Sequence, residues 1–161
     1  MPIEVDMMLA DAVTMYGGLI SLLGAGWQVR AADGAGPSGI AIVVRVPRKQ
    51  AGMHRLRLEL LDSDNELVVI PPPDGPGEMV IEAAMLISGL KDPKLKTPLL
   101  GTFGIPVPPF PLAPGREYWW RLHVDGKTRA GWTLPFRTMS EDEAASSHPI
   151  LLAADPPAEP A

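Results

Sequence analysis

Four groups of residues have types and spacing that could support chemistry, and two of them are loop motifs. Residues 62–66 read Asp-Ser-Asp-Asn-Glu, which is how a calcium-binding loop begins. Such a loop needs glycine at its sixth position and glutamate at its twelfth, where this chain has Leu67 and Pro73. Residues 24–26 read Gly-Ala-Gly, but a strand pattern follows them, whereas a phosphate-binding loop leads into a helix. We therefore predict a hairpin turn at 62–66 and no cofactor.

The other two groups are the histidines and the carboxylates. His54, His123 and His148 are the only histidines, and no two of them have the i, i+2 or i, i+4 spacing of metal ligands. The chain has no cysteine and no Gly-x-Ser-x-Gly motif for a nucleophile. Glu82 in an apolar run, or Asp6 in a predicted strand, could act as a general acid or base beside a histidine. We predict no catalytic and no metal-binding residues, with a carboxylate–histidine hydrolase as the less favoured alternative.

Composition is that of a globular domain with a tail. The 161 residues are enough to bury a core, and 46% of them are apolar. The net charge of −5 argues against a nucleic-acid partner, because phosphate binding needs a basic face, and we expect the basic residues 45–49 and 54–57 to be solvated. The first residues lack the pattern of a signal peptide, and no apolar run is long enough to span a bilayer. We therefore expect a cytoplasmic protein without a membrane partner.

Proline and glycine cluster between short apolar runs, which is typical of an all-β fold. The period-two alternation of apolar side chains predicts strands with one buried face. The strands predicted are residues 3–9, a long bent strand over 19–30, and residues 40–46, 54–61, 67–70, 78–87, 99–105, 118–124 and 128–138. Residues 82–86 are also compatible with a helix. We predict a two-sheet antiparallel sandwich of about eight or nine strands over residues 1–139, followed by a disordered acidic Pro/Ala-rich tail over 140–161.

The last two predicted strands carry three of the four tryptophans, and strand parity decides which of them are buried. Alternation puts Trp120 on the core face and Trp119 on the opposite face. A two-residue turn at residues 125–126 would pair Trp119 with Trp132 and leave Trp132 in solvent. Because burying a large apolar side chain contributes about 1.5–3 kcal/mol, we predict a three-residue turn, or an equivalent bulge near Gly131, that buries Trp132.

Residues 112–126 resemble a corner of fibronectin type III domains, in which a Leu-x-Pro-Gly-x-x-Tyr run leads into a strand. Leu112, Pro114, Gly115 and Tyr118 match that run. The resemblance implies an immunoglobulin/fibronectin-III-like sandwich in which the tyrosine hydroxyl bonds to upstream backbone. The whole chain also resembles a family of small bacterial, actinobacterial-type β-sandwich proteins of unknown function. That second resemblance implies a fold and no activity, and it rests on residues 9–13, 24–27, 56–62, 114–126 and 132–136.

Trp119 is the aromatic side chain of this hairpin that is predicted to point outward. Arg121 and His123 alternate onto the same face, and we place Val43 beside them in one exposed contact face. Exposed tryptophan and arginine are enriched at interface hot spots. We therefore expect a non-enzymatic binding or assembly module whose partner is a protein, through self-association or within a larger assembly. The alternative is a small-molecule or carbohydrate binder with Trp119 or Trp27 in an aromatic cleft.

Overall fold

The predicted all-β class is confirmed by the computed structural model, which describes residues 2–34, 36–90, 92 and 94–146. Alternating and β-branched runs form nearly all of the regular structure, together with a 3-10 turn at Arg48–Gln50 and one short helix, α1 (Glu141–Ser146). The strands are β1 (Glu4–Ala10), β2 (Ala12–Tyr16), β3 (Leu19–Leu23), β4 (Val29–Arg30), β5 (Ser38–Val46), β6 (Gly52–Asp62), β7 (Val69–Ile70), β8 (Gly77–Glu78), β9 (Val80–Ile87), β10 (Leu99–Val107), β11 (Glu117–Val124) and β12 (Thr133–Thr138).

Two larger sheets make up the body of the protein. One has three strands in the order β1-β5-β10, and the other has five in the order β4-β12-β11-β6-β9. The pairings are antiparallel except for β4 with β12, which is parallel. The strand pairs β2-β3 and β7-β8 form two further small antiparallel sheets.

The core lies between the inner faces of the two larger sheets. The even-numbered residues of β5 from Ile40 to Val46 are fully buried, as are Leu58 and Leu60 of β6 and Leu122 of β11. These side chains belong to one hydrophobic cluster that draws on both sheets. The predicted period-two pattern therefore identified the buried face of each of these strands.

The connection between β11 and β12 buries Trp132 by a different route from the predicted three-residue turn. The turn has two residues, Asp125 and Gly126, both with positive φ, and Val124 pairs with Lys127. Continued along the strand, this register would put Trp120 opposite Gly131, but Trp120 lies opposite Leu134, three residues further on. The extra residues form an insertion at 128–132, equivalent to the predicted bulge. Because the offset is odd, Trp132 returns to the core face and is 6% exposed.

The turn at residues 62–66 follows the prediction, since Asn65 has a φ of 64°. The carboxylate of Asp62 accepts hydrogen bonds from the backbone N–H groups of Asp64, at 2.9 Å, and Glu66, at 3.0 Å. The acidic residue that begins the calcium-like motif therefore holds its own turn together. Residues 80–87 form strand β9, as predicted, rather than the alternative helix.

The prediction of one bent strand over residues 19–30 is wrong. Strand β3 ends at Leu23, and the chain turns through Gly24, at φ 60°, and Gly26, at φ 91°, backbone angles that disfavour other residues. The backbone N–H of Gly26 then donates to the carbonyl of Leu9. The chain rejoins regular structure as β4, on the edge of the five-stranded sheet, so the glycines divide two strands that belong to different sheets.

The predicted disordered tail over residues 140–161 begins with regular structure, because residues 141–146 form α1. The hydroxyl of Ser140 accepts the N–H of Glu143 at 3.1 Å, and the carboxylate of Glu143 accepts the N–H of Ser140 at 2.8 Å. This reciprocal capping box begins α1. Glu143 also makes two bonds to Arg137, which holds the helix against β12 and, with Ser140, lowers the pKa of Glu143 to about 2. The rest of the predicted tail, 147–161, lies outside the described residues.

Candidate functional site

Three of the four residues of the predicted contact face lie together. Trp119, Arg121 and His123 are alternate residues of β11 and project from the outer face of the five-stranded sheet. Val43 belongs to β5, in the centre of the three-stranded sheet, and it also points away from the core. Because the two sheets share a core between them, their outer faces point in opposite directions. The placement of Val43 beside Trp119 is therefore wrong.

Trp119 is half-buried on its sheet. Its register partners are Leu61 on one side, which is 2% exposed, and Pro135 on the other. With Gln28 and Arg137 it lines a shallow groove of about 250 Å³. Its own sheet therefore covers part of the tryptophan that parity left facing outward.

A charged cluster centred on Glu59 occupies the middle of the same outer face. Arg57 donates from Nε to Glu59 Oε1 at 3.0 Å, while Arg121 Nη2 and His123 Nε2 each lie 3.1 Å from Oε2. The Glu59 side chain is only 16% exposed. Burial favours the neutral acid, but the bonds from Arg57, Arg121 and His123 outweigh it and hold the pKa of Glu59 below its ordinary value. The cluster fixes Arg121 and His123 in place on the sheet.

A second histidine–carboxylate pair clamps the β11–β12 turn onto β6. Buried His54 lies 2.7 Å from Asp125 Oδ2 through Nδ1 and 2.8 Å from the carbonyl of Gln50 through Nε2. The carbonyl of Gln50 and the carboxylate of Asp125 therefore hold the imidazole ring from both of its nitrogens. Burial raises the pKa of Asp125, but the N–H of Arg55 and the ring of His54 more than offset this, and the pKa lies below its ordinary value. Sequence spacing gave no signal for this pair, which is 71 residues apart.

The carboxylates named for the acid–base alternative face arginines. Glu82 pairs with Arg57 at 3.0 Å and is 70% exposed, and Asp6 pairs with Arg45. The pairs of carboxylate and histidine are instead Glu59 with His123 and Asp125 with His54. Within the described ranges, no three His, Cys, Asp or Glu residues are grouped so that they could hold a metal ion. None of the helices in those ranges has the length and apolarity needed to cross a membrane.

One exposed apolar surface was missed by the sequence reasoning. Strands β2 and β3, with the intervening turn at Gly17 and Gly18, form a β-hairpin that we call the apolar hairpin. Tyr16 is 91% exposed, Leu19 72% and Leu23 71%. Residues 12–29 contain no charged side chain, and that uncharged run was the sequence signal that could have revealed the surface.

The apolar hairpin packs on the outer face of the three-stranded sheet, where Gly39 and Gly104 leave space for it because they have no side chains. A Cβ atom at Gly39 would lie 2.5 Å from Val13 Cγ1, and one at Gly104 would lie 2.6 Å from Val13 Cγ2. The hydroxyl of Thr102 donates to the carbonyl of Gly18 at 2.6 Å. One face of the hairpin therefore packs on the body, and Tyr16, Leu19 and Leu23, which alternate with the packed residues, face outward.

Comparison with known proteins adds nothing to this geometry. No protein-family model and no curated protein matches the sequence.

Proposed function

We propose that the protein is a non-enzymatic module for protein binding and assembly, and that the apolar hairpin is its contact surface. The observation that carries the proposal is the outward face of the hairpin, where Tyr16, Leu19 and Leu23 are all more than 70% exposed. Contiguous exposed apolar patches of this kind mark interaction sites in folded proteins. A partner that covers them gains roughly 25 cal/mol for each Å² of apolar surface removed from water.

The charged face around Trp119 is the weaker candidate for the contact. Arg121 and His123 are already bonded to Glu59, so a partner would have to replace those bonds to use them. Trp119 itself is half-buried against its own sheet. A partner that binds the apolar outward face of the hairpin would have no such hydrogen bonds to replace.

We also infer that the fold is an immunoglobulin/fibronectin-III-like sandwich. In the immunoglobulin arrangement, strands A, B and E share one sheet and strands C, F and G the other. Naming β1, β5 and β10 as A, B and E, and β6, β11 and β12 as C, F and G, reproduces both sets and their neighbour relations. The Tyr118 hydroxyl accepts the N–H of Ala113 at 3.2 Å, which supports the tyrosine corner that the sequence resemblance implies. Many modules of this architecture differ in function, so the assembly proposal rests on the hairpin.

The test of the assembly function replaces Tyr16, Leu19 and Leu23 by serine in one variant. Wild-type protein added to an extract of its host is expected to elute well above its chain mass of 17.2 kDa, and the triple variant at that mass. Replacing exposed Leu100 by serine is the matched control, since Leu100 lies on β10, outside the hairpin. Wild-type protein that stays at the monomer mass both alone and in extract would refute the assembly function.

A second candidate function is small-molecule or carbohydrate binding at Trp27. Trp27, Asp11 and Arg30 line a cavity of about 310 Å³ beside Ser38. The Trp27 indole N–H is buried and has no hydrogen-bond partner among the described residues. A buried donor without a partner costs stability that a ligand acceptor would restore.

The Trp27 candidate predicts a selective change in the NMR spectrum. The chain has four tryptophans, and the Trp27→Phe variant identifies the Trp27 indole N–H signal by its disappearance. Titration with a panel of mono- and disaccharides is expected to shift that signal and leave the Trp120 signal in place. If none of the four signals moves at millimolar sugar, the carbohydrate form of this candidate is wrong.

A further inference from the structure

We propose that the partner of the apolar hairpin is a second copy of the same chain, joined by antiparallel pairing of the two β3 strands about a two-fold axis at Ser21. This inference rests on the proposed assembly function and names its partner. A contact between identical chains about a two-fold axis must be self-complementary.

The first argument is the condition of the sheet edges. Natural proteins protect free edges with charged side chains, proline or very short strands. Edge strand β1 carries Glu4 and Asp6, β9 carries Glu82, β10 carries Pro106, and β4 has only two residues. Strand β3 has none of these protections, and among the residues that the structure describes the sheet it forms with β2 has no further strand.

The second argument is the backbone geometry of β3. The two-residue turn at Gly17-Gly18 makes Tyr16 and Leu19 a hydrogen-bonded pair, and such pairs alternate along an antiparallel ladder. The N–H and C=O groups of Leu19, Ser21 and Leu23 therefore face β2, and those of Ile20 and Leu22 point to the free edge. With the axis at Ser21, Ile20 and Leu22 of the two copies exchange four hydrogen bonds.

The third argument is the sequence of β3, which reads Leu-Ile-Ser-Leu-Leu. In the proposed register, Leu19 meets Leu23 of the second copy, Ile20 meets Leu22, and Ser21 meets Ser21. Every apolar side chain therefore faces an apolar one. The same symmetric pairing of β2 would oppose Ala12 to Tyr16. Strand β2 also packs on two strands of the body, β5 and β10, whereas β3 packs mainly on β10.

The fourth argument is charge. Each chain carries a net charge of −5, so two copies repel at a distance. Residues 12–29 are uncharged, so the two paired β3 strands themselves bring no like charges together. Within the interface, Leu19 and Leu23 of the two copies cover one another on the outward face.

Charge placement gives the first test. The Leu19→Lys/Leu23→Lys variant opposes lysine to lysine twice across the axis, and we expect the dimer dissociation constant to rise at least ~100-fold. The Leu19→Lys/Leu23→Glu variant opposes lysine to glutamate at the same positions, so it is expected to dimerise in a salt-dependent way. Leu86→Lys, on the β9 edge, is the matched control and should leave the dimer intact. Sedimentation equilibrium measures the masses, and circular dichroism confirms folding of each variant.

A disulfide gives the second test, because a cysteine-free chain makes any introduced thiol unique. Opposed side chains of an antiparallel pair have Cβ atoms about 4.5–5.5 Å apart, so Ser21→Cys should form a disulfide-linked dimer on mild oxidation. Thr14→Cys is the control. Thr14 pairs with Ser21 within the chain, and its distance from Thr14 of the second copy would be three strand spacings, about 14 Å.

The outcomes separate this inference from the assembly function. Wild-type protein that is monomeric when purified, but enters a larger complex through the hairpin in host extract, would refute the β3 pairing and support assembly with another protein. A dimer that persists in the double-lysine variant, without cross-linking at Ser21→Cys, would show that the copies meet elsewhere and would also refute the pairing. Hairpin-dependent binding to anionic lipid vesicles by a monomer would overturn it in favour of a membrane surface.

Discussion

Replacement of Trp120 by alanine is expected to lower the free energy of unfolding by about 3–5 kcal/mol. Trp120 is 2% exposed and lies between β6 and β12 in the centre of the five-stranded sheet, with its side chain in the shared core. Alanine would leave a cavity that the surrounding β-strands cannot close, because hydrogen-bonded ladders hold their positions. The melting temperature should fall by roughly 10 °C, as measured by circular dichroism.

The adjacent tryptophan is the matched control for this prediction. Trp119 is on the same strand but on the outer face, so Trp119→Ala removes partly solvated surface and should cost clearly less than Trp120→Ala. Leu61 is beside Trp119 and becomes more exposed, so the control will not be silent. If the two variants are equally destabilised, the assignment of opposite faces by strand parity is wrong.

Replacement of Glu59 by glutamine is expected to cost about 1–3 kcal/mol of unfolding free energy at pH 7. Glutamine keeps the shape but offers one acceptor oxygen where the carboxylate offers two, and it removes the charge that faces Arg57, Arg121 and His123. Arg121 also has a buried Nε with no partner among the described residues. Urea denaturation of both proteins measures the difference.

The difference should disappear in acid. The pKa of Glu59 is lowered in the folded protein, so its stabilising contribution is complete above the unfolded value of about 4.3 and is lost as the pH falls through the lower folded value. The gap between wild type and Glu59→Gln should therefore be largest at pH 5–7 and narrow below about pH 4. Glu82→Gln, which also removes a partner of Arg57, is the control and should show little effect because Glu82 is 70% exposed. A gap that is constant from pH 7 to pH 3 would contradict this account.

The main strands of the two larger sheets could be read from the sequence because alternation is a local property, whereas β2 was not predicted. Ile40 to Val46 and Leu56 to Leu60 present apolar side chains at every second position, and a strand with one buried face needs nothing more. Parity also placed Trp132 in the core correctly, and of the two predicted routes the chain uses the bulge near Gly131 rather than a three-residue turn. Burying a tryptophan is favourable enough to place Trp132 on the core face of its strand. The extra residues that this placement requires are inserted after the turn and not within it.

The charged pairs of the candidate site depend on which strands become neighbours. The local sequence pattern of a strand carries little information about its neighbours. Glu59 meets Arg121 and His123 because β6 and β11 pair, and His54 meets Asp125 across 71 residues of sequence. Val43 and Trp119 have the same local pattern of an outward residue in a strand, but their strands entered different sheets.

The sequence by itself determined the all-β class, the buried face of the main strands and the lack of charge across residues 12–29. Only the tertiary structure decided that this uncharged segment folds back as a hairpin and becomes a surface. Gly39 and Gly104 come from separate strands, and together they leave the space that Val13 fills. One face of the hairpin packs into that space. Because side chains of a strand alternate between its two faces, Tyr16, Leu19 and Leu23 are exposed to solvent on the other face.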